Sequence, residues 1–182
     1  MNQSKADSNW HSLAGDLFRR AYSFGLSACQ LTHVAVAVAV MRNDKDVGKA
    51  AYNGAHSPAI WFLAGFAFEL FLKSAILATG GDSTEIKAIG HDLEEALEKA
   101  QERGLVLNDS TRFSIKIANR VHNVRGENRL YFRYGGGDSA DVESVEALVA
   151  SLKDLLEQTA PLFNQNNASY EVFLVPFQEN QE

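Results

Sequence analysis

The sequence holds a single cysteine, Cys29, so it forms no internal disulfide and offers no cysteine-based zinc site. Between Ala28 and Gln30 in a helical stretch, this thiol reads as a small buried side chain rather than a nucleophile. The five histidines are scattered without metal-ligand spacing, so neither a metal ion nor a cofactor is expected. Proline is scarce, and its three occurrences fit helix boundaries or the tail: Pro58 in a first turn, Pro161 beyond a last turn, Pro176 near the C-terminus. The N-terminal residues MNQSKADSNWHS lack an apolar stretch behind a basic start, so the cytoplasm is expected rather than export. Asn167-Ala168-Ser169 therefore carries no weight as a glycosylation acceptor. The apolar run from Ala59 to Phe68 is about half of the ~20 residues a bilayer crossing needs, with Glu69 and Lys73 where the midplane would fall. No membrane association is expected.

What is present belongs to one folded domain. The chain has 182 residues, 46% of them hydrophobic and 22% charged, which is enough apolar material for a core without staples. Its net charge of −6 repels polyanions as a whole, so any nucleic-acid surface must be a local basic patch. Residues 1–160 read as a helical bundle and 161–182 as a C-terminal extension.

Apolar residues Trp10, Leu13, Leu17, Ala21, Phe24 and Ala28 recur at three and four, as one helix face requires. The alternation of Val and Ala from Val34 to Met41 matches a strand by period, yet alanine favours helix and no turn signal intervenes. One helix from Ser8, as N-cap, to Met41 is expected, with Gly25 as an irregularity. Arg42 to Gly48 reads as a connector without the glycine and glutamate of a calcium loop. A second helix spans Gly54 to Ala78 and ends at Gly80-Gly81. Within it, Glu69 and Lys73 stand at i and i+4, where they share a face and pair. After a short piece from Asp82 to Gly90, Asp92 caps a third helix, with Glu95 placed for a capping box and Leu93, Ala96, Leu97 and Ala100 as its apolar stripe.

A fourth helix runs from Ser110 to about Val124, with Phe113, Ile117, Ala118 and Val121 inward. Residues 129–134 are aromatic and extended in character, closed by three glycines that lack the lysine and Ser/Thr of a phosphate loop. A fifth helix has Asp141 as cap and Val142, Val145, Leu148, Val149, Leu152, Leu155 and Leu156 inward. Residues 170–177 read as an edge strand or an extended arm. The fold class is all-α, an up-and-down antiparallel bundle of about five helices.

WFLAGFAFELFLKSAIL, a glycine turn, IGHDLEEALEKA, and a later YFRY before glycines together resemble the HEPN superfamily of helical bundles. The likeness covers roughly Ser8 to Thr159 and rests on Glu69 with Lys73, on His91-Asp92-Leu93 at a helix start, and on Arg133-Tyr134. It implies a homodimer, and either a metal-independent endoribonuclease of toxin or defence systems or a non-catalytic partner of a nucleotidyltransferase. Ribonuclease members carry an arginine, four to six residues, then a histidine. No arginine of this chain stands in that relation to a histidine: Arg120 and His122 are two apart and Arg112 and His122 ten.

The segment from Arg112 to Arg133 gathers Arg112, Lys116, Arg120, Arg125, Arg129 and Arg133 against one acid, Glu127. Guanidinium groups suit phosphates and aromatic faces suit bases, so Arg125, Arg129, Tyr131, Arg133 and Tyr134 are candidate ligand-binding residues for a nucleotide or RNA. His122 and Arg120 are the candidate catalytic pair, as general base and phosphorane stabiliser. His91 precedes a helix N-terminus, where anions bind, but Asp92 occupies those donors. Three readings stay open: a non-catalytic or regulatory binding protein, a ribonuclease with a relocated set around His122, and a purely structural bundle.

Overall fold

The computed structural model describes residues 3–122 and 144–163, and among them the fold is all-α. Seven α-helices are present among these residues: α1 (Gln3–Met41), α2 (Val47–Asn53), α3 (Ser57–Ala78), α4 (Ser83–Ile89), α5 (Leu93–Glu102), α6 (Asp109–His122) and α7 (Val145–Thr159). A 3-10 turn, Ala160–Phe163, follows α7. The extended segments expected at 129–134 and 170–177, and Asp141 and Val142, lie outside the described residues.

α1 runs unbroken through the Val/Ala alternation and through Gly25. At about 1.5 Å per residue it is roughly 58 Å long. The buried stripe falls on Ala14, Phe18, Ala21, Ala28, Thr32, Ala35 and Ala39; Ala21 and Ala28 are inward as expected, whereas Leu13, Leu17 and Phe24 are only half-buried at its margin. Mostly small residues make this seam, which lets α1 lie close along α3, the largest interhelical contact of the fold.

Two short helices occupy stretches that the sequence left unassigned, one at the end of the connector from Arg42 to Gly48 and one within the short piece from Asp82 to Gly90. Asp46 caps α2 by accepting from the Lys49 N–H (2.9 Å), and Gly54 ends it in extended backbone, so the second long helix starts at Ser57 rather than Gly54. Asp82 caps α4 by accepting from the Thr84 and Glu85 N–H groups (2.7 and 2.9 Å). Each helix has seven residues, too few for an apolar period to show in sequence. α7 is capped by Ser144, whose Oγ accepts from the Ala147 N–H (3.3 Å).

α3 is the axis. From Ile60 through Leu77 most of its side chains are buried, and it contacts α1, α5, α6 and α7. It passes the length and hydropathy test for a membrane span, yet its apolar stretch lies mostly inside the bundle. α1 passes the same test over Leu13–Met41, with Val34, Val40 and Met41 exposed. Phe68, Phe71, Leu72 and Ile76 are wholly buried. Each contributes about 1.5–3 kcal/mol of apolar burial. α7 closes the core with Leu148, Leu152, Leu155 and Leu156, and Ser151 meets Ser114 of α6 at 2.7 Å. On α6, Ile117 and Ala118 are inward as expected, but Phe113 is 54% exposed. The α6 residues that face the core are Thr111, Ser114, Ile115, Ile117 and Ala118, which leaves Phe113 at the rim of a shallow groove against α5.

Candidate functional site

One buried carboxylate gathers three helical elements. Glu69 and Lys73 lie one turn apart on α3, their side chains 6% and 11% exposed. Lys73 Nζ donates to Glu69 Oε1 at 2.6 Å and also to the Gly90 carbonyl. Gly90 has φ +63°, a conformation that suits a residue without a Cβ. It turns the chain between α4 and α5, with its carbonyl on Lys73 and His91 next in sequence.

The other carboxylate oxygen takes two imidazoles. Glu69 Oε2 lies 3.0 Å from His91 Nδ1 and 2.6 Å from His122 Nε2. An ionised carboxylate only accepts, so the facing nitrogens, His91 Nδ1 and His122 Nε2, carry the protons. Burial would raise the Glu69 pKa, but hydrogen bonds from His122, Lys73 and His91, with the Lys73 charge, overcome it and hold the group at about 2. The carboxylate is therefore charged across the ordinary pH range.

His122 is seated by its surroundings. Its side chain is 6% exposed, and the Phe66 ring meets its imidazole edge to face at 5.0 Å. A Cβ built on Gly65 would lie 2.6 Å from His122 Nδ1, so the absent side chain at Gly65 is what lets α3 and α6 approach here. One turn earlier on α6, Asn119 pins the helix to the start of α5. Its Oδ1 accepts from the Leu93 N–H (2.8 Å), and its Nδ2 donates to Asp92 and Glu94 (3.2 Å each). Asp92 caps α5 by accepting from the Glu94 and Glu95 N–H groups (3.1 and 3.2 Å). The capping box does not close, because the Asp92 N–H goes to the Ile89 carbonyl.

The two expected catalytic residues separate. His122 points inward to Glu69, whereas Arg120, two positions before it, is exposed. Residues two apart on a helix face nearly opposite sides, so no conformation of α6 unites them. Arg125, Arg129, Tyr131, Arg133 and Tyr134 lie outside the described residues. His91, considered at first for anions, stands beside its capping Asp92 and is 67% exposed, with its Nδ1 on Glu69.

Sequence reading paired Glu69 with Lys73 but missed that His91 and His122 converge on the same group, 22 and 53 residues away. One ligand atom from each of Glu69, His91 and His122 lies within 4.8 Å of the others. The expectation of no metal rested on spacing along the chain, and the folded arrangement supplies a donor cluster that such spacing does not reveal. A second feature, the groove of about 400 Å³ between α5 and α6, is lined by Glu94, Glu98, Asp109, Arg112, Phe113 and Lys116. Its mixed charge gives no clear preference for an anion. Searches against protein-family models, curated proteins and solved structures found no match to the chain.

Proposed function

We propose that the chain is a HEPN-like, up-and-down antiparallel bundle whose five longer helices are α1, α3, α5, α6 and α7, and that it acts in the cytoplasm without catalysis of its own. In this reading it is a regulatory homodimer that binds RNA or a nucleotide through the outer face of α6 and residues 125–134, beside a protein partner of the nucleotidyltransferase type. The observation that carries it is the division of α6 into two faces. The inner face commits His122 to Glu69, with Nδ1 against Gly65, leaving no nitrogen accessible for a substrate proton. The outer face presents Lys116 and Arg120 to solvent, without ion pairs among the described residues, at a spacing of four that puts them on one side of the helix.

Fluorescence anisotropy with labelled single-stranded RNA in EDTA tests this directly. Binding that weakens as salt rises, intact RNA, and at least about a tenfold loss in a Lys116→Glu, Arg120→Glu double variant are expected. RNA cleavage that disappears in His122→Ala would replace this reading with the ribonuclease. Neither binding nor cleavage would leave the purely structural bundle. Sedimentation of the free protein measures the dimer.

A further inference from the structure

We infer that Glu69, His91 and His122 form a binding site for a divalent first-row transition-metal ion, zinc above all, that ties α3, the α4–α5 corner and α6 together. The inference stands apart from RNA binding and needs none. Two imidazoles and a carboxylate are a donor set suited to zinc, cobalt and nickel, whereas calcium and magnesium prefer oxygen throughout.

The geometry is close to what such an ion needs. Both imidazole nitrogens already address the same oxygen, Glu69 Oε2, at 3.0 and 2.6 Å. Ligand bonds of about 2.0–2.2 Å in a tetrahedron place donor atoms roughly 3.3 Å apart, so the His122 contact at 2.6 Å must open by about 0.7 Å and the His91 contact at 3.0 Å by about 0.3 Å. The larger opening falls on the Glu69 and His122 side chains, each 6% exposed, while His91, 67% exposed, is free to follow the ion. The exposed His91 edge also provides an entry path, and water fills the fourth position from that side.

The surrounding groups favour one binding mode. Lys73, itself anchored by donating to the Gly90 carbonyl, engages the far side of the carboxylate through Oε1, which leaves Oε2 as a single-oxygen ligand with its orientation fixed. The Lys73 ammonium opposes a second cation, so the ion is held less tightly than in a site of four neutral or anionic ligands. Coordination needs the lone pair of each Glu69-facing nitrogen, so the proton now there moves to the opposite ring nitrogen or, where that one is already protonated, to solvent. On His91 that nitrogen has no partner among the described residues, and on His122 it lies against Gly65, where the absent Cβ leaves room.

The test uses the full chain after dialysis against EDTA. Titration with Co2+ is followed by visible absorption, and Zn2+ by calorimetry and by metal analysis after desalting. About one equivalent is expected, with the intense visible bands of four-coordinate cobalt and a higher melting temperature with zinc. His91→Ala alters an exposed residue and leaves the buried pair in place, so it should fold, lose the cobalt bands and bind at least about tenfold more weakly. His33→Ala and His56→Ala should bind as the unaltered chain does. No saturable binding, or equal binding by the unaltered chain and His91→Ala, would overturn the site.

Discussion

Phe68 and Glu69 are adjacent on the same helix and both are shut away from water, yet they are held by different physics. Phe68 is stabilised by contact with whatever apolar atoms surround it, a contribution that depends on volume and little on identity. Glu69 is tolerable only because Lys73, His91 and His122 supply donors to both of its oxygens. A buried carboxylate stripped of those partners would cost several kcal/mol. The apolar part of α3 therefore fills space, whereas the Glu69 cluster specifies which helices meet and in what register.

The sharpest way to break this contrast is substitution at the two positions. Glu69→Ala leaves the Lys73 ammonium buried without its carboxylate and should cost about 3–5 kcal/mol in denaturant unfolding. Phe68→Ala should cost a similar amount, about 3–5 kcal/mol, by leaving a cavity. The conservative changes separate them: Phe68→Leu should cost less than about 1.5 kcal/mol, whereas Glu69→Gln, equal in shape, should still cost about 3 kcal/mol because its amide turns a donor toward other donors. Equal tolerance at the two sites would erase the distinction.

A smaller effect is expected from Gly65→Ala. The new methyl would collide with the His122 ring, so a loss of about 1–3 kcal/mol is expected, together with release of His122 from Glu69. Its histidine ring resonances in NMR should then report a solvent-exposed imidazole. Gly15→Ala, where the nearest contact is 3.6 Å away, is the control.

A further effect is in acid. The Glu69 carboxyl is held at about 2, below the ordinary value of 4.5, so its stabilising contribution is fully present above pH 4.5 and is lost as pH falls toward 2. Unfolding curves of the unaltered chain should show this acid limb, and Glu69→Gln should flatten it.

Much of the arrangement follows from local rules. The four-residue spacing of Glu69 and Lys73 puts them on one face, and they meet at 2.6 Å. Asp92 before an apolar stripe marks the start of α5. The all-α class follows from the three-and-four periodicity and from alanine's helix preference, which outweighs the strand-like alternation after Val34. Other features were hidden for physical reasons. α2 and α4 are too short to show a period. Phe113 was assigned inward by its chemistry, but α6 leaves it at the rim of a groove. His91 and His122 reach Glu69 only through tertiary packing, and the one local hint is Gly65, a glycine inside an apolar helix that marks a close approach.

Glu69 and His122 act as a unit holding α3 to α6, and a double-mutant cycle measures their coupling. Glu69→Gln, His122→Asn and the double variant would be unfolded in denaturant, in EDTA, at neutral pH. A coupling of about 1–3 kcal/mol is expected. Single losses that add to within ~0.5 kcal/mol would contradict the account.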